Sequence, residues 1–461
     1  MDFIDNQYIV DRPKVKPGQA SSNWTNVEKI AFRFFFIYFL IQAVPLDWHF
    51  YRDLFTINWG PLYYRDLFNL ARYAPHVFGP DDTFVNWAIV ALIALLGTAV
   101  WTIRDQHQTE YTTLHYWLRV VLRYRLAIGI IAYGFIKLFP IQAPLPSISN
   151  LNTAYGDFTA WKLFSLSLGI VPSYESFLGL VEILGGLLLL NRRTTTIGTL
   201  IIIPFLGNIF VSNLAYEGGE HIYSLLLTTF ALFLFSFDAI RLFRLVSLEK
   251  PTVPNRFRLV LTEPWQRYGR LALKSAFIVF AILLYGYKTY AAYQAGGYQF
   301  PQNQPILNGA AGLYDVQAFA LAGETIPYSK TDSKRWQDVV FENWNTISIK
   351  SNRPVRLETT NIEQIIADDA NRRYELSGSA GRHYYSYQLD SVRHVLTLKN
   401  RNPNYPNETL TFHYDHPNNH QIILSGLNET RDSVYVVLQK LDKKYLLNEA
   451  AKAGRRGTLK L

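Results

Sequence analysis

The chain has 461 residues, of which 15% are aromatic and 18% are charged, and its formal net charge is +9. It contains no cysteine, which excludes thiol nucleophiles, disulfides, iron–sulfur clusters and cysteine-ligated zinc. The basic residues are concentrated at the ends of apolar segments, as in membrane proteins, so we expect no nucleic-acid partner.

Long apolar runs between residues 29 and 292 predict a membrane-embedded region. A spanning helix needs about 20 mostly apolar residues. The predicted spans, seven in all, are 29–45, 84–103, 120–139, 174–190, 197–215, 221–240 and 273–292. The first 28 residues are polar and lack the apolar core of a signal peptide, so the first run is expected to stay as an anchor.

Lysine and arginine residues near the ends of these runs indicate the orientation. They are Lys14, Lys16 and Lys29 before the first run, Arg104 after the second, Arg119, Arg123 and Arg125 at the third, Arg192 and Arg193 after the fourth, and the segment from Arg241 to Lys274 after the sixth. With seven spans all of them lie on one side, which the positive-inside rule makes cytoplasmic. We therefore predict that the N-terminus is cytoplasmic and that the C-terminal domain lies on the opposite side of the membrane.

Two connections differ from ordinary loops. Residues 46–83 contain the motif YRDLF twice, and their aromatic content predicts amphipathic helices on the membrane surface. Residues 140–172 are apolar but are interrupted by Pro140, Pro144 and Pro146. That pattern predicts a short re-entrant or interfacial helix packed on the bundle.

Polar residues inside the predicted spans are the main functional signal, since ionisable groups at membrane depth are costly. Arg125, Gly129, Tyr133 and Lys137 recur every four residues and therefore share a helix face. Glu182 lies within an apolar run and requires a partner, for which Lys137 or an arginine is the natural candidate. A structural ion pair and a functional site both fit, and Lys137 alone could simply extend to the interface.

A larger set of polar residues is predicted to line one cavity open to the outer side. It comprises Lys137, Gln142, Asp157, Glu182, Asn208, Asn213, Glu217 and His221. Glu217, His221 and Asp157 lack any recognised metal-ligand spacing, so no metal is predicted. The one methionine is the first residue, which disfavours haem because bundle haems need axial His or Met ligands within spans.

Several of these residues belong to a family-like pattern. The segments YGFIKLF, AYGDFTAWKLF, FLGLVEILGGLLLLNRRTTTIGTLI and GNIFVSNLAYE resemble the DoxX-like bacterial membrane proteins, four-helix bundles related to the membrane region of vitamin K-dependent carboxylases. The matching positions are Lys137, Glu182, Gly185, Gly186, Arg192, Arg193, Thr194 and Asn208. Glu217 also matches an acid of the family, whereas Glu220 and His221 stand where a lysine is expected.

After residue 300 the sequence changes to short runs of alternating apolar and polar residues separated by turn signals. The predicted strands are the runs VVFEN, ISIKS, VRLET, YYSYQLD, HVLTLKN, ETLTFHYD, QIILSGL and SVYVVLQKL. This predicts an antiparallel β-rich soluble domain, a meander that closes into a small barrel or remains a curved sheet. The predicted organisation is a cytoplasmic tail at 1–28, two spans at 29–118, a DoxX-like four-helix core at 119–245, a basic connection with the last span at 246–299, and the exported domain at 300–461.

The resemblance implies a protein of the bacterial inner membrane, whose C-terminal domain would then be periplasmic or extracellular. It also implies an accessory subunit that binds quinone or lipid and serves envelope redox or lipid processes. The expected partners are membrane lipids, a small lipophilic ligand and an envelope protein, with quinone as the candidate cofactor. The alternative is a non-enzymatic envelope scaffold that acts through the β domain. A carboxylase-like enzyme is a weaker hypothesis, because the soluble domain shows neither a cosubstrate site nor a base, and whether the chain is an enzyme stays open.

Overall fold

The computed structural model describes residues 24–77, 79, 82–253, 259, 262–296, 306–358 and 374–453. The helices are α1 Asn26–Ala43, α2 Trp48–Thr56, α3 Tyr64–Ala71, α4 Phe84–Arg104, α5 Thr112–Leu138, α6 Ile148–Leu151, α7 Ala160–Gly169, α8 Pro172–Leu189, α9 Thr195–Ala215, α10 His221–Val246, α11 Pro264–Phe277, α12 Tyr285–Ala295 and α13 Leu446–Ala453. A π-helical segment, Ile278–Leu284, joins α11 to α12. Most of the predicted cytoplasmic tail lies outside the described residues.

Within the described residues, six helical stretches are long and apolar enough to cross a membrane. They are Asn26–Thr56, Phe84–Arg104, Pro172–Leu189, Thr195–Ala215, His221–Val246 and Pro264–Ala295. The predicted third span, 120–139, lies in α5, which is not among them. Its apolar run is interrupted by Arg123, Arg125 and Lys137. Among the described residues, this helical membrane protein therefore has six candidate spans, and the predicted seventh is not confirmed.

The chain divides into two compact units, one of residues up to 44 together with 75–121, the other of residues 45–74 together with 122 onwards. In the first unit α1 packs on α4, where Gly97 lies against Ile37. Arg33 is buried there and donates hydrogen bonds to the Tyr111 hydroxyl at 2.7 and 2.9 Å. The charge is thus held by polar partners inside an apolar helix pair.

The connection predicted to form surface helices contains α2 and α3. Helix α2 has no buried residue, and Trp48 and Phe55 are exposed, as expected for an interfacial helix. Helix α3 differs because Tyr64 and Phe68 are buried. The Phe68 ring packs on Tyr133 of α5 at 5.0 Å, so α3 belongs to the bundle of the second unit.

Helices α5 and α8 run antiparallel in close contact. A Cβ atom on Gly179 would lie 2.4 Å from the carbonyl oxygen of Gly134 and 2.3 Å from the amide nitrogen of Leu138. Towards the other end of the pair, Arg123 donates to the carbonyl oxygens of Leu189 and Leu190 at 2.8 and 3.0 Å. The contact therefore extends along α8 from its first half to its C-terminus.

Helix α12 packs on α5 along a second line. Gly286 lies against the Phe135 ring, and the Tyr285 hydroxyl donates to the Ala132 carbonyl at 3.0 Å. Nearer the N-terminus of α5, the Tyr124 ring lies 5.0 Å from the ring of Phe277, the last residue of α11. The last membrane helix is thereby aligned with α5.

The C-terminal part is an antiparallel β-barrel. Its strands are β1 Gly312–Leu321, β2 Glu324–Thr325, β3 Trp336–Phe341, β4 Thr346–Ser351, β5 His383–Asp390, β6 Val395–Asn400, β7 Thr409–Asn418, β8 Gln421–Leu427 and β9 Ser433–Lys440. Each long strand pairs with the next, β2 extends β1 as a short hairpin, and β1 pairs with β9 to close eight strands into a barrel. The interior is filled by side chains, including Tyr314, Phe319, Phe341 and Phe412, each at most 2% exposed. The predicted β domain is confirmed, and the closed barrel is the form it takes.

One predicted strand is wrong, and one strand of the barrel was not predicted. The run VRLET is predicted as a strand, but residues 355–358 form no strand. The backbone is held in a loop, since the Arg356 amide donates to the Tyr405 hydroxyl and its carbonyl accepts from Asn402. Strand β1 is absent from the predicted runs, and its register shifts between Val316 and Ala318, which breaks the period-two pattern.

Because α5 and α8 are in close contact, one added methyl group between them should destabilise the protein, whereas the same group at an open position should not. Gly179→Ala should lower the free energy of unfolding in detergent by about 1–3 kcal/mol, because backbone atoms occupy the space of the new Cβ. Gly207→Ala on α9 is the matched control, since nothing lies within 4 Å of its Cβ position. Thermal and denaturant unfolding measure both variants, and equal stability would contradict the contact.

Candidate functional site

The predicted polar face of α5 is present and turns towards four other elements of the second unit. Arg125 donates to the carbonyl oxygens of Ala71 and Tyr73. A Cβ atom on Gly129 would lie 2.8 Å from the Tyr223 hydroxyl. Tyr133 and Lys137 contact acidic residues further along the helix. We call the set Arg72, Tyr133, Lys137, Glu182 and Glu220 the polar cluster.

Lys137 and Glu182 form an ion pair across the α5–α8 contact. The Lys137 Nζ lies 2.6 Å from Glu182 Oε1, and the two side chains are 12% and 4% exposed. The ammonium is therefore paired inside the bundle rather than extended to the interface. The second carboxylate oxygen, Glu182 Oε2, is buried, and no hydrogen-bond partner for it is found among the described residues.

Arg72 and Glu220 form the other end of the polar cluster. The Arg72 Nη2 lies 2.8 Å from Glu220 Oε2 and 2.9 Å from Oε1, so one nitrogen contacts both carboxylate oxygens. The guanidinium carbon also lies 5.1 Å from the centroid of the Tyr223 ring. Asn213 orients Glu220, because its Oδ1 accepts from the Glu220 amide at 3.2 Å.

Tyr133 lies between the two ion pairs. Its hydroxyl donates to Glu220 Oε2 at 3.1 Å, and its ring centroid lies 5.6 Å from the Lys137 Nζ. The Lys137 Nζ also lies 5.9 Å from the Phe205 ring of α9. The polar cluster thus runs from α8 through α5 to α3 and to the turn before α10. It contains formal charges of both signs in equal number, which limits the cost of burying them.

The eight residues predicted to line one cavity are only partly brought together. Lys137 and Glu182 are paired, and Asn213 orients Glu220, which is part of the polar cluster. The Gln142 amide donates to Glu175 at 3.1 Å, and the Asp157 carbonyl accepts from Ala380 of the β domain at 2.8 Å.

The other three predicted residues lie at the surface or at a helix end. Asn208 and Glu217 are exposed, and His221 begins α10. No group of three or more His, Asp or Glu side chains that could hold a metal is found in the part of the chain that the structure describes.

Sequence reasoning missed Arg72 and Glu220 as partners. Arg72 follows the second YRDLF motif, in a connection interpreted as a surface helix. Glu220 was noted only as a departure from the lysine of the DoxX-like pattern. Tyr133 is the one signal that could have linked them, because it lies on the polar face of α5 and carries a hydroxyl at membrane depth.

A second arrangement fastens the barrel to the connection at 140–172. Glu342, at the end of β3, accepts hydrogen bonds from the amides of Ile148 and Ser149 at 3.0 and 2.7 Å, and from the Ser149 hydroxyl. Burial raises the pKa of Glu342, and the bonds from Ser149 oppose that rise. The N-terminus of helix α6 is thereby capped by a side chain of the barrel.

Lys162 of α7 is the centre of the same interface. It is fully buried, donates to the Tyr374 carbonyl, and lies 3.8 Å from the centroid of the Tyr374 ring. Burial lowers the pKa of Lys162 to about 7, against the charge of nearby Glu375. Glu375 is itself paired with Arg401, so its charge is shared between Lys162 and an arginine.

The connection at 140–172 therefore has a role that its sequence did not show. It was predicted as a short helix packed on the bundle, and α6 and α7 are indeed short. Its polar groups, however, bond to the barrel: the Thr159 amide donates to the Gly378 carbonyl at 2.8 Å, and Asn150 donates to the Glu375 carbonyl at 2.9 Å. This segment is the docking surface of the β domain.

Comparison with models of known families, with characterised proteins and with solved structures finds no match to this chain.

Docking of the barrel should depend on pH through Lys162. The undocked lysine titrates near its ordinary value of 10.5 and the docked one at about 7, so between these values the docked state binds fewer protons. Docking therefore strengthens as pH rises above 7, by up to roughly tenfold per unit. The rate at which a maleimide modifies Ser379→Cys, 2% exposed at the interface, measures undocking.

Two controls isolate the lysine. Val392→Cys, at an exposed position of the barrel, corrects for thiolate formation with pH. Lys162→Met removes the titrating amine but leaves Glu342, whose raised pKa acts in the opposite direction. The ratio of the Ser379→Cys rate to the Val392→Cys rate should fall as pH rises above 7 in the parent, whereas in Lys162→Met it should stay flat or rise. The same slope in both would refute the role of Lys162.

Proposed function

We propose that this chain is a membrane protein of the DoxX-like kind whose helical bundle binds a small lipophilic ligand at Glu182 and Lys137. The observation that carries the proposal is Glu182 Oε2, an ionisable oxygen buried in an apolar bundle with no hydrogen-bond partner among the described residues. An unpaired buried acceptor is costly, and a bound group that donates to it would remove the cost.

The surroundings favour an aromatic ligand with a head that both donates and accepts hydrogen bonds. Lys137 Nζ can donate, Glu182 Oε2 can accept, and the Phe205 ring lies 5.9 Å from the ammonium. A quinone head fits these groups: a ring carbonyl accepts from Lys137, and a hydroxyl of the reduced form donates to Glu182. When bound, such a head would supply two-electron redox chemistry, while the residues of the polar cluster would bind and orient it.

We also propose that α5 is a seventh span. It runs along α8, a candidate span, from the level of Gly179 to that of Leu190. Its basic residues Arg123, Arg125 and Lys137 have partners within the bundle. Seven spans leave the basic segments on the cytoplasmic side and the barrel in the periplasm or outside the cell. Six spans with the same N-terminal orientation would reverse the side of every loop after α5.

Ligand binding is tested by isothermal titration calorimetry of the full-length protein in mild detergent with a short-chain benzoquinol, which is kept in its reduced, hydroxyl-bearing form under anaerobic conditions. Glu182→Gln should raise the apparent Kd about tenfold, because a charge-assisted hydrogen bond contributes about 1.5–3 kcal/mol. Native mass spectrometry of the parent protein should show a co-extracted lipophilic molecule that is reduced in Glu182→Gln.

Asn208→Ala, at an exposed position on α9, is the matched control and should bind like the parent. Lys137→Met combined with Glu182→Gln removes both charges and therefore leaves no unpaired ion in the bundle. A loss of ligand binding in this double variant then reports on the site rather than on the stability of the fold. A parent that neither carries nor binds such a molecule would refute the proposal, as would a Glu182→Gln variant that changes only the melting temperature.

The orientation is tested by single-cysteine labelling, for which the cysteine-free sequence is already suited. In intact cells a membrane-impermeant maleimide should label Tyr155→Cys and Val392→Cys, and Val253→Cys only after permeabilisation. All three positions are strongly exposed. The opposite pattern would show that α5 does not cross the membrane.

A scaffold role for the β domain is the second candidate function. It is favoured by the barrel interior, which is filled by tightly packed side chains rather than open to a ligand. A barrel of this kind acts through its surface, and its attachment to α6 and α7 would hold that surface close to the membrane. The ligand experiment separates the two, since a pure scaffold needs no molecule at Glu182.

A further inference from the structure

Helix α11 is the most exposed long helix of the second unit among those described. It has no buried residue over Pro264–Phe277. Arg267, Arg270 and Lys274 follow one another at intervals of three and four and share one face. Trp265 and Tyr268, 72% and 73% exposed, lie towards the other side. The helix is therefore amphipathic, with a basic face and an aromatic face.

The level of α11 relative to the bundle follows from its contacts. Phe277, its last residue, packs on Tyr124 of α5, and the neighbouring Arg123 binds the carbonyl oxygens that end α8. Residues 264–276 therefore extend past the level at which α8 ends. The continuous helix Pro264–Ala295 has 32 residues, or about 48 Å at 1.5 Å per residue. This exceeds the roughly 30 Å of the hydrocarbon core, so part of α11 reaches the headgroup layer.

Other basic residues lie at the same end of this unit. Arg193 follows α8, and Arg244 lies in the last turn of α10; both are exposed. The segment 241–274 contains eight Lys or Arg residues and two Glu residues. No ion pair of Arg270 or Lys274 is found in the described ranges. We call Arg193, Arg244, Arg270 and Lys274 the basic rim.

We propose that α11 and the basic rim form a binding surface for the headgroups of anionic phospholipids. A phosphate in the headgroup layer meets the positive charge of the rim, while Trp265 and Tyr268 suit the interface between water and hydrocarbon. The ligand class follows from charge complementarity together with the depth of the helix. Such binding is independent of the site at Glu182.

The test uses the full-length protein in neutral detergent, titrated with short-chain phosphatidylglycerol and with phosphatidylcholine and followed by native mass spectrometry. The parent should prefer phosphatidylglycerol, and the preference should weaken with added salt. The triple substitution Arg267→Gln, Arg270→Gln and Lys274→Gln should reduce phosphatidylglycerol binding by about tenfold or more and leave phosphatidylcholine binding unchanged.

A second triple variant controls for net charge: Lys334→Gln, Arg393→Gln and Lys399→Gln, at exposed positions of the barrel. It should bind phosphatidylglycerol like the parent, and both triple variants should melt like the parent. Equal loss of binding in both triple variants, or no preference in the parent, would refute the proposal. An unchanged lipid preference in the α11 variant would refute it as well.

Discussion

The interaction on which the bundle depends is the antiparallel contact between α5 and α8. Helices in an apolar medium gain little from burying apolar surface, so close backbone approach and polar contacts must hold them. Gly134 and Gly179 permit that approach. Arg123 at one end binds carbonyl oxygens of α8, and Lys137 towards the other binds Glu182. The charges that interrupt the apolar run of α5 are therefore what fix its position.

The same contact organises the rest of the second unit. Because α5 is held against α8, its polar face turns towards α3 and the start of α10, where Tyr133 meets Arg72 and Glu220. Its opposite side receives α12, through Phe135 and Tyr285. The connection that leaves α5 is then turned back by Glu175, which binds the amides of residues 142 and 143. That turn leads to α6 and α7, the surface on which the barrel docks.

Two polar arrangements within one unit serve different ends. The barrel interface is held by many directed bonds, such as those that Glu342 accepts from helix α6, and such networks specify one arrangement of the partners. It also contains a buried amide oxygen, Asn150 Oδ1, with no hydrogen-bond partner among the described residues. The ion pair in the bundle leaves one carboxylate oxygen without a partner among the described residues. The oxygen in the bundle belongs to an ionisable carboxylate, whereas the one at the interface belongs to an uncharged amide, and an unpaired charged group is the more costly of the two. This is why the proposed function rests on Glu182 rather than on the more numerous contacts of the interface.

The sequence by itself determined what depends on neighbours along the chain. These features are the apolar runs that become α1, α4, α8, α9, α10 and the helix Pro264–Ala295, the polar face of α5, and most strands of the barrel. These follow from the 3.6-residue and two-residue periods of helices and strands. The tertiary structure decided the partners. Arg72 and Glu220 are 148 positions apart, and Ser149 and Glu342 are 193 apart. Such pairs depend on which helices and strands become neighbours in space, and no local pattern contains that information.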